Sequence, residues 1–203
     1  MTGVACVVLA GGASRRFGSD KLVHRWAGRT LLERCLDDLP ADWLVVIVGP
    51  ERDLAVSGSG ITGATGATSG SGRRFRFVRE QPPGGGPAAA LVTGVRAARD
   101  EGADLVVVVP GDLPTGGRSA VALVERLHAV EATACLAVDA DGRDQPLQLA
   151  VCGESLRRLA DAGDRSGGRA RDLLALLPAT VRLPLEPALT DDIDTPEDAA
   201  RWA

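Results

Sequence analysis

Three stretches of the chain are apolar at every position: Val4 to Leu9 (VACVVL), Leu44 to Val48 (LVVIV) and Leu105 to Val109 (LVVVV). Short, β-branched, unalternating runs of this kind are the pattern of strands buried on both faces of a parallel sheet. The segments between them carry helix signals. Thr30-Leu31-Leu32-Glu33 matches a capping box, and Pro87 suits the first turn of a helix running through Ala98. Further on, Ala134 to Val138 and Leu147 to Val151 read as strands, and Arg118 to Val130 and Ala170 to Leu177 as helices, with a last helix opened by Thr195-Pro196. Alternating strands and helices predict an α/β fold: an open, mostly parallel, Rossmann-like sheet with helices on both faces. In such sheets ligands bind beyond the carboxyl ends of the strands, so chemistry is expected just after each apolar run.

One segment breaks the pattern. Ser57 to Gly72 (SGSGITGATGATSGSG) has no charge and a single large apolar side chain, too little to offset the entropy of ordering it. It reads as a flexible surface insertion in a single domain spanning 1–203, serving either as a linker or as a lid over the site.

Composition narrows the class. With 45% hydrophobic and 25% charged residues the 203-residue chain has the profile of a soluble globular domain able to bury its own core. A net charge of -4 argues against a nucleic-acid partner. Cys6, Cys35, Cys135 and Cys152 are widely spaced and form no CxxC pair, so four buried, reduced thiols are expected rather than a zinc site. The start of the chain lacks a signal-peptide pattern, and no apolar run approaches the roughly 20 residues of a membrane span; a cytoplasmic protein with no membrane partner is expected.

The chemistry concentrates after the first run. Ala10-Gly11-Gly12-Ala13-Ser14-Arg15-Arg16-Phe17-Gly18-Ser19-Asp20-Lys21 is too rich in glycine and cations for an ordinary turn. Glycines let backbone N–H groups approach a triphosphate, and Arg15, Arg16 and Lys21 can neutralise the charge growing on a leaving pyrophosphate. The spacing fits neither GxGxxG nor GxxxxGK[ST]. Asp112 follows the third apolar run through Pro110-Gly111, at the edge where ligands bind, and is a hard oxygen donor suited to Mg²⁺; a turn or helix-cap role is the alternative. Asp192-Ile193-Asp194 can set two carboxylates on one face of a short strand, with Asp194 the candidate second metal ligand. The same stretch can instead begin the last helix, with Thr195 as its cap. Arg143 and the run Arg165 to Arg171 (RSGGRAR) are basic places where a phosphorylated acceptor could bind, or solvated connections. His24 and His128 have no catalytic partner spacing.

The segment LAGGASRRFGSDK closely resembles the LAGGxSxRMGxDK signature of the molybdenum cofactor guanylyltransferases, with Phe17 in place of the methionine. Gly86-Pro87, Asp112, Gln145-Pro146 and DIDTPEDA from Asp192 to Ala199 extend the resemblance over nearly the whole chain. It implies the nucleotidyltransferase form of the α/β sheet and a Mg²⁺-dependent transfer of a nucleoside monophosphate, GMP from GTP, to the phosphate of molybdopterin, releasing pyrophosphate. Leu9, Ala10, Gly11, Gly12 and Gln81 would contact the nucleotide, Lys21 its phosphates, and Asp112 the metal, with Lys21, Arg15 and Asp112 as the catalytic set and Asp112 with Asp194 as the metal ligands. Transient contact with the enzymes that receive the cofactor is also implied.

Two departures bear on the base. The family has an asparagine after its second strand where this chain has Val48-Gly49-Pro50, and an aspartate whose best match here is Gln81, beside Glu80. Gly11-Gly12 points to guanine, since relatives using cytidine triphosphate carry LAAG, whereas DIDTPED is also similar to the ending of cytidylyltransferases. A cytidylyl- or sugar-phosphate nucleotidyltransferase on the same fold, and a nucleotide-binding partner protein without catalysis, are the alternatives.

Overall fold

The computed structural model describes residues 3–12, 20–26, 28–56, 59–61, 73–193, 195 and 198. Of the residues singled out above, Ala13 to Ser19 (Arg15, Arg16 and Phe17 among them), Asp194, Pro196 and Ala199 lie outside this set, as do 57–58 and 62–72 of the Gly/Ser tract.

All three apolar runs are strands, β1 (Val4–Leu9), β4 (Leu44–Val48) and β8 (Leu105–Pro110). β1 is central and pairs in parallel with both others, Val7 lying opposite Val46 on one side and Val108 on the other. Two short strands, β2 (Arg25–Trp26) and β3 (Arg29–Thr30), form a hairpin before helix α1 (Leu31–Asp37). Thr30 and Glu33 make the expected capping box: Thr30 Oγ1 accepts from the Glu33 N–H (3.1 Å) and Glu33 Oε2 from the Thr30 N–H (2.8 Å).

After β4, β5 (Leu54–Val56) pairs antiparallel with β6 (Ser59–Ile61), so residues 59–61 of the expected insertion are a strand rather than open coil. β7 (Phe75–Val78) then returns to pair in parallel with β4. Helix α2 (Pro87–Asp100) has Pro87 in its first turn, β8 follows, and helix α3 (Gly116–Ala129) begins two residues before the expected Arg118.

β9 (Ala134–Val138) and β10 (Asp144–Cys152) are antiparallel partners, helix α4 (Gly153–Ala160) follows, and β11 (Thr180–Pro184) adds in parallel to β9. The segment expected as a helix from Ala170 to Leu177 is a 3-10 helix, Ala170–Leu176. The seven-stranded sheet runs β11-β9-β10-β8-β1-β4-β7, parallel except where β10 meets its neighbours.

The two faces of the sheet are two cores. Cys6, Val8, Val45 and Val107 pack toward α1 and α3; Val7, Val46, Val48 and Val108 pack toward α2 and α4. α2 lies close against β1 and β4 because Gly94 faces them: a Cβ there would stand 2.3 Å from Val7 Cγ1 and 2.7 Å from Val48 Cγ2. Both cores therefore hold the ends of β1, β4 and β8 at one edge, and the residues that follow these strands meet there.

Candidate functional site

The Ala10 N–H donates to the Val48 carbonyl (2.8 Å) and the Gly111 N–H to the Leu9 carbonyl (3.0 Å), so the chain leaving β1 is fastened to the ends of both neighbouring strands. Gly49 makes one of these approaches possible. Its φ is +156°, and a Cβ would sit 2.6 Å from the Ala10 carbonyl oxygen. In the stretch where the resemblance leads one to expect an asparagine, a side chain on Gly49 would therefore force the β1 end or its own strand end to move.

Beyond these strand ends lies a cleft of about 370 Å³ bordered by Leu9, Gly11, Gly12, Glu80, Gly86 and Asp112. Ala10 is buried beneath it. Pro87 and Leu147 form the side shared with a second cavity of about 500 Å³, which Pro146, Gly167, Gly168, Arg169 and Arg171 also line.

Lys21 and Asp112 meet here. Asp20 starts a short 3-10 turn, Lys21–Val23, its Oδ1 accepting from the Leu22 N–H (3.1 Å). From that turn the Lys21 ammonium reaches Asp112 Oδ2 at 2.8 Å and donates to the Ile193 carbonyl at 2.7 Å, while the Ile193 N–H donates to the Asp112 carbonyl at 3.0 Å. The two side chains are 12% and 22% exposed, shielded enough to strengthen their attraction yet open to a ligand from the cleft. Three remote parts of the sequence thus place one cation and one carboxylate in contact at the sheet edge.

Glu80 and Gln81 part company. Glu80 is buried and borders the cleft, Oε1 accepting from the Gly84 N–H (3.0 Å). Gln81 is exposed and lines a different cavity, about 330 Å³, with Thr93, Arg96, Asp164 and Arg165. The expected nucleotide residue thus turns away from the cleft and its neighbour faces it. The carboxylate that borders the cleft is Glu80, one residue before the Gln81 expected from the resemblance.

The remaining expectations divide. Arg143 pairs with Asp141 (2.7 Å) on an exposed turn, and Gln145 donates to Asp139 (2.8 Å), so neither reaches the cleft. Residues 191–193 form no strand; Asp192 is exposed and Ile193 buried. Thr195 and Asp198 exchange hydrogen bonds as a helix start does: the Asp198 N–H donates to Thr195 Oγ1 (3.2 Å) and the Thr195 N–H to Asp198 Oδ2 (3.0 Å). His24 and His128 are both exposed.

The cysteines are free, with Cys6, Cys35 and Cys135 buried and Cys152 half-buried rather than buried as expected. Burial pushes the Cys6 thiol up to about 12 and Cys135 to about 11, and holds Cys35 well above its ordinary range. None can serve as a thiolate nucleophile near neutral pH. Among the described residues no group of three or more His, Cys, Asp or Glu is placed to hold a metal by itself, and no helix is long and apolar enough to cross a membrane.

One residue the sequence reading passed over is Arg52. Its side chain is 7% exposed, forms an ion pair with Asp20 and donates to the Ala10 carbonyl (3.0 Å). No spacing signal marks it, because its partners lie on either side of the glycine segment.

Residues 6–182 match the family model described as the MobA-like NTP transferase domain. A probable molybdenum cofactor guanylyltransferase from Bacillus subtilis is 32% identical over 142 residues, 70% of this chain and 63% of the relative, so the matched region spans less than two thirds of that relative's length. Among solved structures, molybdopterin-guanine dinucleotide biosynthesis protein A from Archaeoglobus fulgidus superposes with a TM-score of 0.66 at 19% identity, over 97% of this chain and 95% of that one. A manganese complex of the Mycobacterium tuberculosis protein Rv0371c superposes with a TM-score of 0.59 at 19% identity, over 98% and 97%. These two likenesses are of fold.

Proposed function

Since the chain belongs to the MobA-like NTP transferase domain family, we propose that it transfers GMP from GTP to the phosphate of molybdopterin, with Mg²⁺, releasing pyrophosphate. The observation that carries the reading is the contact of Lys21 with Asp112, 2.8 Å apart at the edge of the glycine-lined cleft.

Asp112 suits magnesium. Mg²⁺ is commonly held by one or two carboxylates together with substrate phosphates, so a lone cleft-facing aspartate is a sufficient protein anchor, with Asp194 as the second. When bound, the ion supplies charge neutralisation on the phosphate oxygens. Lys21 is placed beside that anchor, where its ammonium can pass from the Asp112 carboxylate to phosphate oxygens as the pyrophosphate departs. Arg15 would add a second cation to the leaving group. Leu9, Ala10, Gly11 and Gly12 would let the nucleotide lie against backbone. An acceptor phosphate is ionised at neutral pH, so no general base is required, and rate comes from alignment and electrostatics.

Glu80 supports guanine. The Watson–Crick edge of guanine offers adjacent N1–H and N2–H donors, whereas cytosine sets two acceptors, ring N3 and carbonyl O2, beside its one amino group, and a carboxylate only accepts. The described residues supply Glu80 with one hydrogen bond, from Gly84 to Oε1, leaving Oε2 available to a base. The neighbouring cavity with Arg169 and Arg171 is the place proposed for the acceptor, and delivery to cofactor-receiving enzymes in the cytoplasm completes the reading.

Pyrophosphate release should be measured with each nucleoside triphosphate, Mg²⁺ and molybdopterin, for the wild type and Asp112→Ala. GTP-dependent release, lowered on the order of a hundredfold or more in the variant, is expected. Absence of acceptor-dependent release with every nucleotide would sink the enzyme reading; preference for CTP would overturn the base.

A further inference from the structure

We propose that Arg52 is a positioning residue for the nucleotide: its guanidinium fastens Ala10 to Asp20 and so fixes where Lys21 stands. The inference rests on the nucleotidyltransferase reading for its consequence, though the fastening itself is independent of it.

Arg52 is carried by the connection after β4, beyond Gly49-Pro50, and its backbone neighbours Glu51 and Asp53 are exposed. Its own side chain is folded inward. Nε and Nη2 donate to Asp20 Oδ2 at 3.1 and 2.8 Å, and Nη1 donates to the Ala10 carbonyl at 3.0 Å and to the Pro50 carbonyl at 3.3 Å. One planar fork therefore ties together the chain leaving β1, the chain entering the Lys21 turn and its own strand end. An exposed ion pair alone would order little. The carbonyl contacts distinguish this one, because they anchor the fork to backbone that β1 and β4 already hold.

Asp20 relays the position onward. Its Oδ2 takes the fork while its Oδ1 accepts from the Leu22 N–H (3.1 Å), the cap of the turn that bears Lys21. The connection is continuous: Arg52 to Asp20, Asp20 to the turn, and Lys21 to Asp112. Arg52 does not border the cleft, so it acts through Lys21 and the glycine backbone rather than on the reacting atoms. Lysine cannot replace it fully, since a single ammonium lacks the fixed fork that reaches Asp20 and Ala10 together. Displacing a catalytic group by about 1 Å can cost on the order of a hundredfold in rate.

The test combines kinetics with amide exchange on Arg52→Ala, Arg52→Lys and Asp20→Asn. In Arg52→Ala, kcat/KM for GTP should fall on the order of a hundredfold while KM for the acceptor stays unchanged. Arg52→Lys should restore part of the loss, and Arg52→Ala with Asp20→Asn should be little worse than Arg52→Ala alone. In the free protein, exchange at the Leu22 amide should quicken about tenfold or more, with Val46 in the sheet unaffected. Unchanged Leu22 exchange would overturn the fastening; a loss for both substrates that merely follows the folded fraction would overturn the positioning role. A wild type that turns over no nucleotide would instead defeat the functional reading, and Leu22 exchange would then decide the fastening alone.

Discussion

Lys21 and Asp112 neutralise each other in the free protein, 2.8 Å apart, although each is also a group the bound nucleotide and metal would need. A pair this shielded has a stability consequence separate from catalysis. Lys21→Met leaves the Asp112 carboxylate facing the Ile193 region without its cation, and should cost about 1–3 kcal/mol. Adding Asp112→Asn removes the orphaned charge and should return part of that loss. Urea denaturation of Lys21→Met, Asp112→Asn, the double variant and the wild type measures the coupling; strictly additive losses would mean that the contact contributes nothing to the fold.

The divergence of Glu80 and Gln81 predicts unequal effects from adjacent substitutions. Glu80→Gln exchanges one acceptor oxygen for a donor at the cleft and should reduce preference for GTP over CTP by about 10- to 100-fold, the equivalent of 1–3 kcal/mol for a paired base contact. Gln81→Ala removes a side chain that faces the cavity with Arg96 and Arg165, and should leave the preference unchanged. Competition between the two nucleotides in pyrophosphate release reads both. A loss in Gln81→Ala with none in Glu80→Gln would return the base contact to Gln81.

How much of this was legible in the chain depends on range. The buried strands were visible because every residue of VACVVL, LVVIV and LVVVV is apolar, and the Thr30–Glu33 cap because its partners are three residues apart. The cleft-edge glycines, Lys21 and Asp112 were visible as residue types following such strands. β7, α4 and β11 carry weaker patterns: the buried Phe75 and Phe77 alternate with arginine and valine, and no residue of β11 is fully buried. Arg52 was illegible for a different reason. Its role lies in bonds to Ala10 and Asp20, and nothing about an arginine after Gly49-Pro50-Glu51 specifies contacts made across the sheet edge.

Gly49 offers a test of how tightly the site is built. Gly49→Ala must place a Cβ 2.6 Å from the Ala10 carbonyl at a φ of +156°, so either the strand end or the glycine segment has to move. Backbone strain of this kind costs on the order of 1–3 kcal/mol. Because the Ala10 carbonyl also receives Arg52, the shift should raise the KM for GTP as well as lower the denaturation midpoint. Gly102→Ala is the comparison: its φ of +87° is strained too, yet a Cβ there meets nothing within 4 Å, and it lies away from the cleft. It should lose stability with KM unchanged. Equal KM values in the two variants would separate Gly49 from the site.

The buried thiols predict an alkaline limit to stability. Cys6 and Cys135 have ordinary values of 9.0 in the unfolded chain, and folding raises them to about 12 and about 11. Between those values the native state retains protons that the unfolded state has released, so the sign is a loss of stability as pH rises from 9. Each such thiol contributes a slope approaching about 1.4 kcal/mol per pH unit until its folded value is reached. The chain contains no tyrosine, which removes one other common group titrating in this range. Denaturation midpoints followed from pH 8 to pH 11 should therefore decline, and Cys6→Ala, though less stable at pH 8, should decline less steeply. Parallel curves for the variant and the wild type would show that Cys6 ionises as readily in the folded protein as in the unfolded chain.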